Sequence, residues 1–184
     1  MGPPKSRKIA LMGAVSVGKS SLAIQFVQGQ FVDGYEPTIE NTFTKTVKIN
    51  RQEYEICLVD TAGQNEYSIF PLEYSTGIDG YVLVYSIDSP KSLEVCQIIQ
   101  EKLLEITGNP KVPIVLVGNK NDLHMERNIT VEEGKRRADE MKAVFLETSA
   151  KENQCVIDIF HKVISEIEKQ DGNLPEEDKK CCIS

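Results

Sequence analysis

The sequence predicts an α/β fold in which a mostly parallel sheet carries helices on both faces. Three observations predict it. Apolar runs alternate with helical patterns along most of the chain, the middle runs are apolar throughout, and a glycine-rich turn (GAVSVGKS, residues 13–20) joins a strand to a helix. Uninterrupted apolar strands suit a sheet covered on both sides, and strand–helix alternation gives parallel pairing.

The first strand is residues 8–12, and the helix after the glycine turn covers 20–28. Residues 41–49 alternate, with Thr42, Thr44, Thr46 and Lys48 set against Phe43, Lys45, Val47 and Ile49. That pattern marks an edge strand with one wet face, paired with strand 54–59 through a hairpin near 50–52. Buried strands follow at 80–85, 112–118 and 144–147. Ser89 before Pro90 is an N-cap with proline at the first helical position, and Thr130 with Glu133 is a capping box. Val156, Phe160, Val163, Ile164 and Ile167 mark one face of a last helix. Periodicity stops at Asp171, which divides the chain into a domain of residues 1–170 and a flexible tail, 171–184.

A chain of 184 residues can bury one core. Its formal charge of −7 argues against a nucleic-acid partner, which needs a basic face. A polyanionic ligand remains compatible, because phosphate sites use local amides and a few cations. No run reaches the roughly 18 apolar residues of a membrane span. Residues 9–12, behind Lys5, Arg7 and Lys8, are too short for a signal-peptide core, so the chain is expected in the cytosol. Five cysteines, at 57, 96, 155, 181 and 182, form no C-x-x-C pair and read as reduced thiols. Cys57, Cys96 and Cys155 fall in apolar runs and read as small core residues. His124 and His161 are isolated, and Lys135, Arg136 and Arg137 read as a solvated helix face.

The glycine turn satisfies G-x-x-x-x-G-K-[ST] with a strand before it and a helix after. Its glycines let successive amides point inward, and the helix start adds partial positive charge. Lys19 stands at the wrong end of that dipole. A bound anion removes the conflict, with Lys19 reaching its outer phosphates and Ser20 offering its hydroxyl to magnesium. Asp60, opening DTAGQ (60–64), ends a buried strand where an unpaired carboxylate is costly; magnesium resolves that cost. Gly63 brings its amide against a terminal phosphate, and Gln64 orients the attacking water. Thr38, in YEPTIE, is a candidate second magnesium hydroxyl.

NKND (119–122) follows strand 112–118 at the carboxyl edge of the sheet, where nucleotides bind. Guanine presents two neighbouring N–H donors that Asp122 accepts. Adenine has no such pair, and sites of this logic discriminate by roughly 10⁴ or more. Asn119 braces the neighbouring loops, while the stem of Lys120 and the ring of Phe31 cover the base. Ala150 of SAK (149–151), held by Ser149, gives its amide to the guanine carbonyl.

These segments and their intervals resemble the Ras family of small GTPases across nearly the whole chain. GQFVDGYEPTIENTFTK, LVDTAGQNEYSIFP, VGNKNDLHMER and SAKENQ carry the likeness. It implies a monomer with the P-loop NTPase fold, a six-stranded sheet and five main helices. It extends the nucleotide contacts to Val15, Ser16, Val17, Gly18, Ser21, Val32, Asp33, Tyr35 and Lys151. It also implies a switch: GTP holds residues 32–42 and 63–74 in place for an effector met through 35–43 and the second segment, and hydrolysis releases them. In the growth-controlling branch that these stretches match, the resemblance implies a TOR-kinase complex as effector and an activating protein that uses asparagine.

Val15 departs from the pattern, since most of the family carries glycine there and that branch carries arginine. A branched side chain beside the terminal phosphate crowds Gln64 and any inserted arginine. Turnover is therefore expected at or below the roughly 10⁻⁴ s⁻¹ of unassisted Ras. Asn65 stands where an acidic residue is usual, with no consequence assigned.

Cys181-Cys182-Ile183-Ser184 matches the C-a-a-X box, and its terminal serine favours farnesyl on Cys181. Removal of the last three residues leaves no second lipid site, and Lys179 and Lys180 beside Glu176, Glu177 and Asp178 are no polybasic patch. One lipid gives reversible attachment, expected at the cytosolic face of endomembranes with a cytosolic pool. Met1–Ser6 fits a loose myristoylation pattern, but Pro3 directly after Gly2 makes the match coincidental.

The leading reading is a GTP-hydrolysing switch in which Lys19 and Gln64 are catalytic through charge and positioning. The rival is an adaptor, permanently GTP-loaded because of Val15. An ATPase or nucleotide kinase is disfavoured by Asp122 and by the lack of a second-substrate domain.

Overall fold

A computed structural model describes residues 2–32, 40–61, 63 and 76–173. The elements are β1 (Lys5–Gly13), α1 (Lys19–Gln28), β2 (Glu40–Ile49), β3 (Gln52–Thr61), β4 (Gly80–Ser86), α2 (Pro90–Thr107), β5 (Ile114–Asn119), α3 (Val131–Glu140), β6 (Val144–Glu147) and α4 (Val156–Gln170). The sheet order is β2-β3-β1-β4-β5-β6, and only the β2–β3 pair is antiparallel. This is the six-stranded, mostly parallel sheet expected; the described residues hold four helices where the resemblance implies five.

Local chemistry explains the boundaries. β5 begins at Ile114, two residues later than the apolar run suggests, because Pro113 has no amide to give the ladder. β1 begins earlier, at Lys5, because pairing with β3 carries its alternating, charged start into the sheet. The β2–β3 hairpin turns on Asn50 and Arg51, both left-handed at φ 49° and 69°, the two-residue turn whose twist matches its strands. The Ser89 cap forms, its Oγ accepting from the Ser92 amide at 3.3 Å, and the Thr130 half of the capping box is present, Thr130 Oγ1 accepting from the Glu133 amide at 3.1 Å.

Side chains on the two faces of the sheet form two cores. On one, Ile9, Leu11, Val82 and Val115 pack with Leu22 and Phe26 of α1 and with Phe160 and Val163 of α4. On the other, Met12, Leu83 and Leu116 pack with Cys96 and Ile99 of α2 and Ala138 of α3. The Phe26 and Phe160 rings stack at 3.8 Å between centroids. Two expectations need correction. Cys96 is core, but Cys57 and Cys155 are only half-buried, one on a strand outside the core face and one at the left-handed turn into α4. Arg137 is not simply a solvated face residue, because it donates to Gln97 across α2.

Tyr85 is fully buried, and its hydroxyl has no hydrogen-bond partner among the described residues. It fills the space that a side chain at Gly118 or Gly134 would occupy, and burial pushes its ionisation far above the ordinary range. An unmade bond on a buried hydroxyl is a net cost, so Tyr85→Phe should stabilise the fold by about 1 kcal/mol. A thermal melt would read this as a higher midpoint; an unchanged or lower one would show that the hydroxyl is satisfied.

At the opposite end of β1 from its glycine turn, Glu168 of α4 is 2% exposed. It accepts from Lys5 Nζ at 3.0 Å, Arg7 Nε and Nη2 at 3.1 and 2.6 Å, and Asn173 Nδ2 at 2.8 Å. Burial alone would raise its pKa, yet the bonds from Arg7, Lys5 and Asn173 hold it below the usual range.

Candidate functional site

The carboxyl ends of β1, β3 and β5 and the loop after β6 meet at one edge of the sheet. Two glycines of the 13–18 turn are dictated by space and backbone. Gly13 has φ 152°, and a side chain there would strike the Val84 carbonyl; Gly18 has φ 98°, and one there would strike the Asn119 amide. Gly63 lies so close behind Val15 that a Cβ on it would come within 2.9 Å of the Val15 amide nitrogen.

Lys19 is 6% exposed, and its ammonium donates to the carbonyls of Gly13 at 3.1 Å and Ala14 at 2.8 Å. Burial lowers its pKa to about 8, with Asp60 opposing. Ser20 donates its hydroxyl to Asp60 Oδ2. Asp60 is fully buried; burial raises its pKa, while the bond from Ser20 and the charge of Lys19 lower it. Its other oxygen, Oδ1, is buried with no partner among the described residues. A hydroxyl and a carboxylate with a spare oxygen are hard ligands that suit magnesium, which binds through one or two such groups plus phosphate oxygens. The residues therefore fit that ion. No group of three or more His, Cys, Asp or Glu able to hold a metal occurs among the described residues, and magnesium does not require one.

The second half of the site is a web of side-chain bonds. Asn119, 1% exposed, donates from Nδ2 to the Val17 carbonyl at 2.9 Å. Its Oδ1 accepts from Thr148 Oγ1 at 3.2 Å and from the Ala150 amide at 3.3 Å. Ser149 Oγ donates to Asp122 Oδ1 at 2.8 Å and accepts from the Glu152 amide at 3.0 Å. Lys120, left-handed at φ 65°, reaches back to the Ser16 carbonyl at 2.7 Å. Residues 13–18, 119–122 and 148–150 are thus bound to one another, although far apart in sequence. The brace expected of Asn119 is present; the grip of Ser149 falls on Asp122 and that of Asn119 on Ala150.

Other candidates sit more loosely. Phe31, Val32 and Lys151 are exposed, Ser21 is half-buried on α1, and the Val17 side chain belongs to the core, leaving its backbone to face a ligand. Asp33, Tyr35, Thr38, Gln64, Asn65 and Cys181 lie outside the described residues. Sequence reasoning passed over Thr148, Thr61 and Gln25. Thr61 Oγ1 donates to the Leu11 carbonyl at 2.7 Å, and Gln25 Nε2 to the Ala150 carbonyl at 2.8 Å. Polar residues that face inward from an otherwise apolar run give no periodic signal; their one cue is being polar where the pattern wants a hydrophobe.

Comparison with known proteins adds to this geometry. The model of the Ras family matches residues 8–169. The chain is 59% identical over 183 residues to the GTP-binding protein Rheb of Homo sapiens, covering 100% of both. It is 60% identical over 182 residues to the GTP-binding protein Rheb homolog of Drosophila melanogaster, covering 99% of this chain and 100% of that one. Against the GTP-binding protein rhb1 of Schizosaccharomyces pombe it is 53% identical over 183 residues, covering 100% of this chain and 99% of the relative.

Proposed function

The chain belongs to the Ras family of small GTPases, and from that premise we propose that it is a slowly cycling, Rheb-like switch acting on a TOR-kinase complex. As a member of the family it is a GTPase that binds GTP and GDP with magnesium. The proposal concerns the rate, the residue roles and the partners.

In this reading the inward amides of residues 13–18 and the ammonium of Lys19 neutralise the phosphates. Ser20 and Asp60, with Thr38, hold magnesium, which when bound draws charge from the phosphate oxygens. Asp122 accepts the paired N–H groups of guanine, and Ala150 donates to its carbonyl. Gln64 orients the water, and Gly63 offers its amide to the terminal phosphate. Chemistry is then mainly positioning and electrostatics.

One observation carries the slow rate: Val15 is half-exposed at the mouth of the glycine turn with Gly63 close against it. Its methyl groups occupy space that the water and an activator's side chain need. Single-turnover decay of bound GTP should run at or below roughly 10⁻⁴ s⁻¹, and Val15→Gly should speed it at least tenfold. A variant no faster than the parent, with or without activator, removes the explanation. The permanently loaded adaptor is not favoured, since the chain matches a GTPase family over nearly its whole length.

Effector contact is assigned to residues 35–43 and 63–74, released on hydrolysis, and the activator to the asparagine-using type found in the Rheb branch. Residues 171–184 serve as a tail with a farnesyl on Cys181, giving reversible attachment to the cytosolic face of endomembranes. Cys181→Ser should move the whole protein into the soluble fraction; an unchanged membrane share refutes the anchor.

A further inference from the structure

Gln25 is a buried polar residue among apolar neighbours on α1, where Leu22, Ala23 and Phe26 all face the core. Its Nε2 donates to the Ala150 carbonyl at 2.8 Å, and its Oε1 is buried with no partner among the described residues. Half-satisfied buried amides are destabilising, and an apolar side chain would fill the same place without that cost. What the glutamine gains is its hold on Ala150. The amide of Ala150 meets Asn119 Oδ1 at only 3.3 Å, near the limit for such a bond, whereas the carbonyl is gripped firmly.

We propose that Gln25 is a positioning residue for base recognition, clamping the Ala150 carbonyl so that the Ala150 amide, held only loosely by Asn119 Oδ1, can be presented to the guanine 6-oxygen. This rests on the reading of Ala150 as the donor to that oxygen. The clamp works from outside the pocket: α1 begins at the phosphate turn, so one helix links the phosphate half of the site to the base half. Losing the clamp lets the loop relax and weakens the guanine contact without touching the phosphates.

The test measures equilibrium affinity of the full chain with magnesium for GDP and for 6-thioguanosine diphosphate. The analogue keeps both edge donors but presents sulfur, a weak acceptor, in place of the 6-oxygen. The wild-type chain should prefer GDP. Gln25→Met, similar in shape but without the donor, should weaken GDP roughly tenfold and the analogue less than threefold, with Gln25→Leu as a second replacement should Met pack badly. If the wild-type chain shows no preference for oxygen over sulfur, the Ala150 reading fails. If it shows the preference and both variants keep it, or both nucleotides weaken equally, the Gln25 proposal alone is overturned, the second result marking a purely structural role.

Discussion

Asp122→Asn should lower affinity for GDP by roughly 10⁴-fold and shift preference toward the xanthine nucleotide. A carboxylate offers acceptors to both neighbouring donors on the guanine edge. The asparagine amide offers one acceptor and one donor, so its NH₂ confronts a guanine N–H and leaves two donors unpaired in a desolvated place. Xanthine carries an oxygen where guanine carries its amino group, so acceptor and donor on the variant both find partners. Ser149 Oγ already binds one oxygen of Asp122 at 2.8 Å and orients the group before any ligand arrives. Calorimetric titration with GDP, XDP and ADP is the measurement. A variant that binds GDP within tenfold of the parent, or a parent that binds ADP as well as GDP, would end the guanine reading.

The second large effect belongs to Lys19, and its sign with pH can be worked out. Burial holds its ammonium at about 8, against an ordinary 10.5. A phosphate beside it favours the charged form and raises that value, so binding takes up a proton whenever the free site has lost one. Affinity should therefore be flat below pH 8 and fall above it, by up to tenfold per pH unit, toward the bound-state pKa. Stability of the nucleotide-free chain runs the other way. Between about 8 and 10.5 the unfolded chain binds more protons at this residue, so the burial penalty, full below pH 8, fades as pH rises. Lys19→Met should abolish both slopes and cost roughly 3 kcal/mol of nucleotide binding, more than a hundredfold. GDP affinity measured at pH 7, 8 and 9 decides it; a parent profile with no slope sinks the argument.

Much of this was legible in the sequence because the signals are local. The 13–20 turn needs only eight consecutive residues to declare itself, and the Ser89 and Thr130 caps need four. Strand identity followed from unbroken apolar runs, and the wet face of β2 from simple alternation. What escaped was set by partners distant in the chain. Gln25 and Ala150 lie 125 positions apart, and no periodicity relates them. Alternation places Lys45 on one face of an edge strand, yet its ammonium lies over the Phe26 ring and donates to the Phe26 carbonyl at 2.6 Å near the end of α1. Cys155 looked like core because its neighbours are apolar, but a left-handed backbone at φ 58° turns it out of line. Pro113 is a local signal that sets the start of β5, as the left-handed Gly29 and Gly108 set the ends of α1 and α2.

The knot around Glu168 fixes the end of the sheet at which α4 finishes. Lys5 and Arg7 tie the last helix to the first residues of β1, while the phosphate turn begins at Gly13, eight residues further along the same strand. At about 3.3 Å per residue the two ends of that strand are separated by roughly 26 Å. Asn173, which donates to Glu168 at 2.8 Å, therefore sits at the end of the sheet opposite the nucleotide mouth, and α4 closes the fold without crowding that mouth.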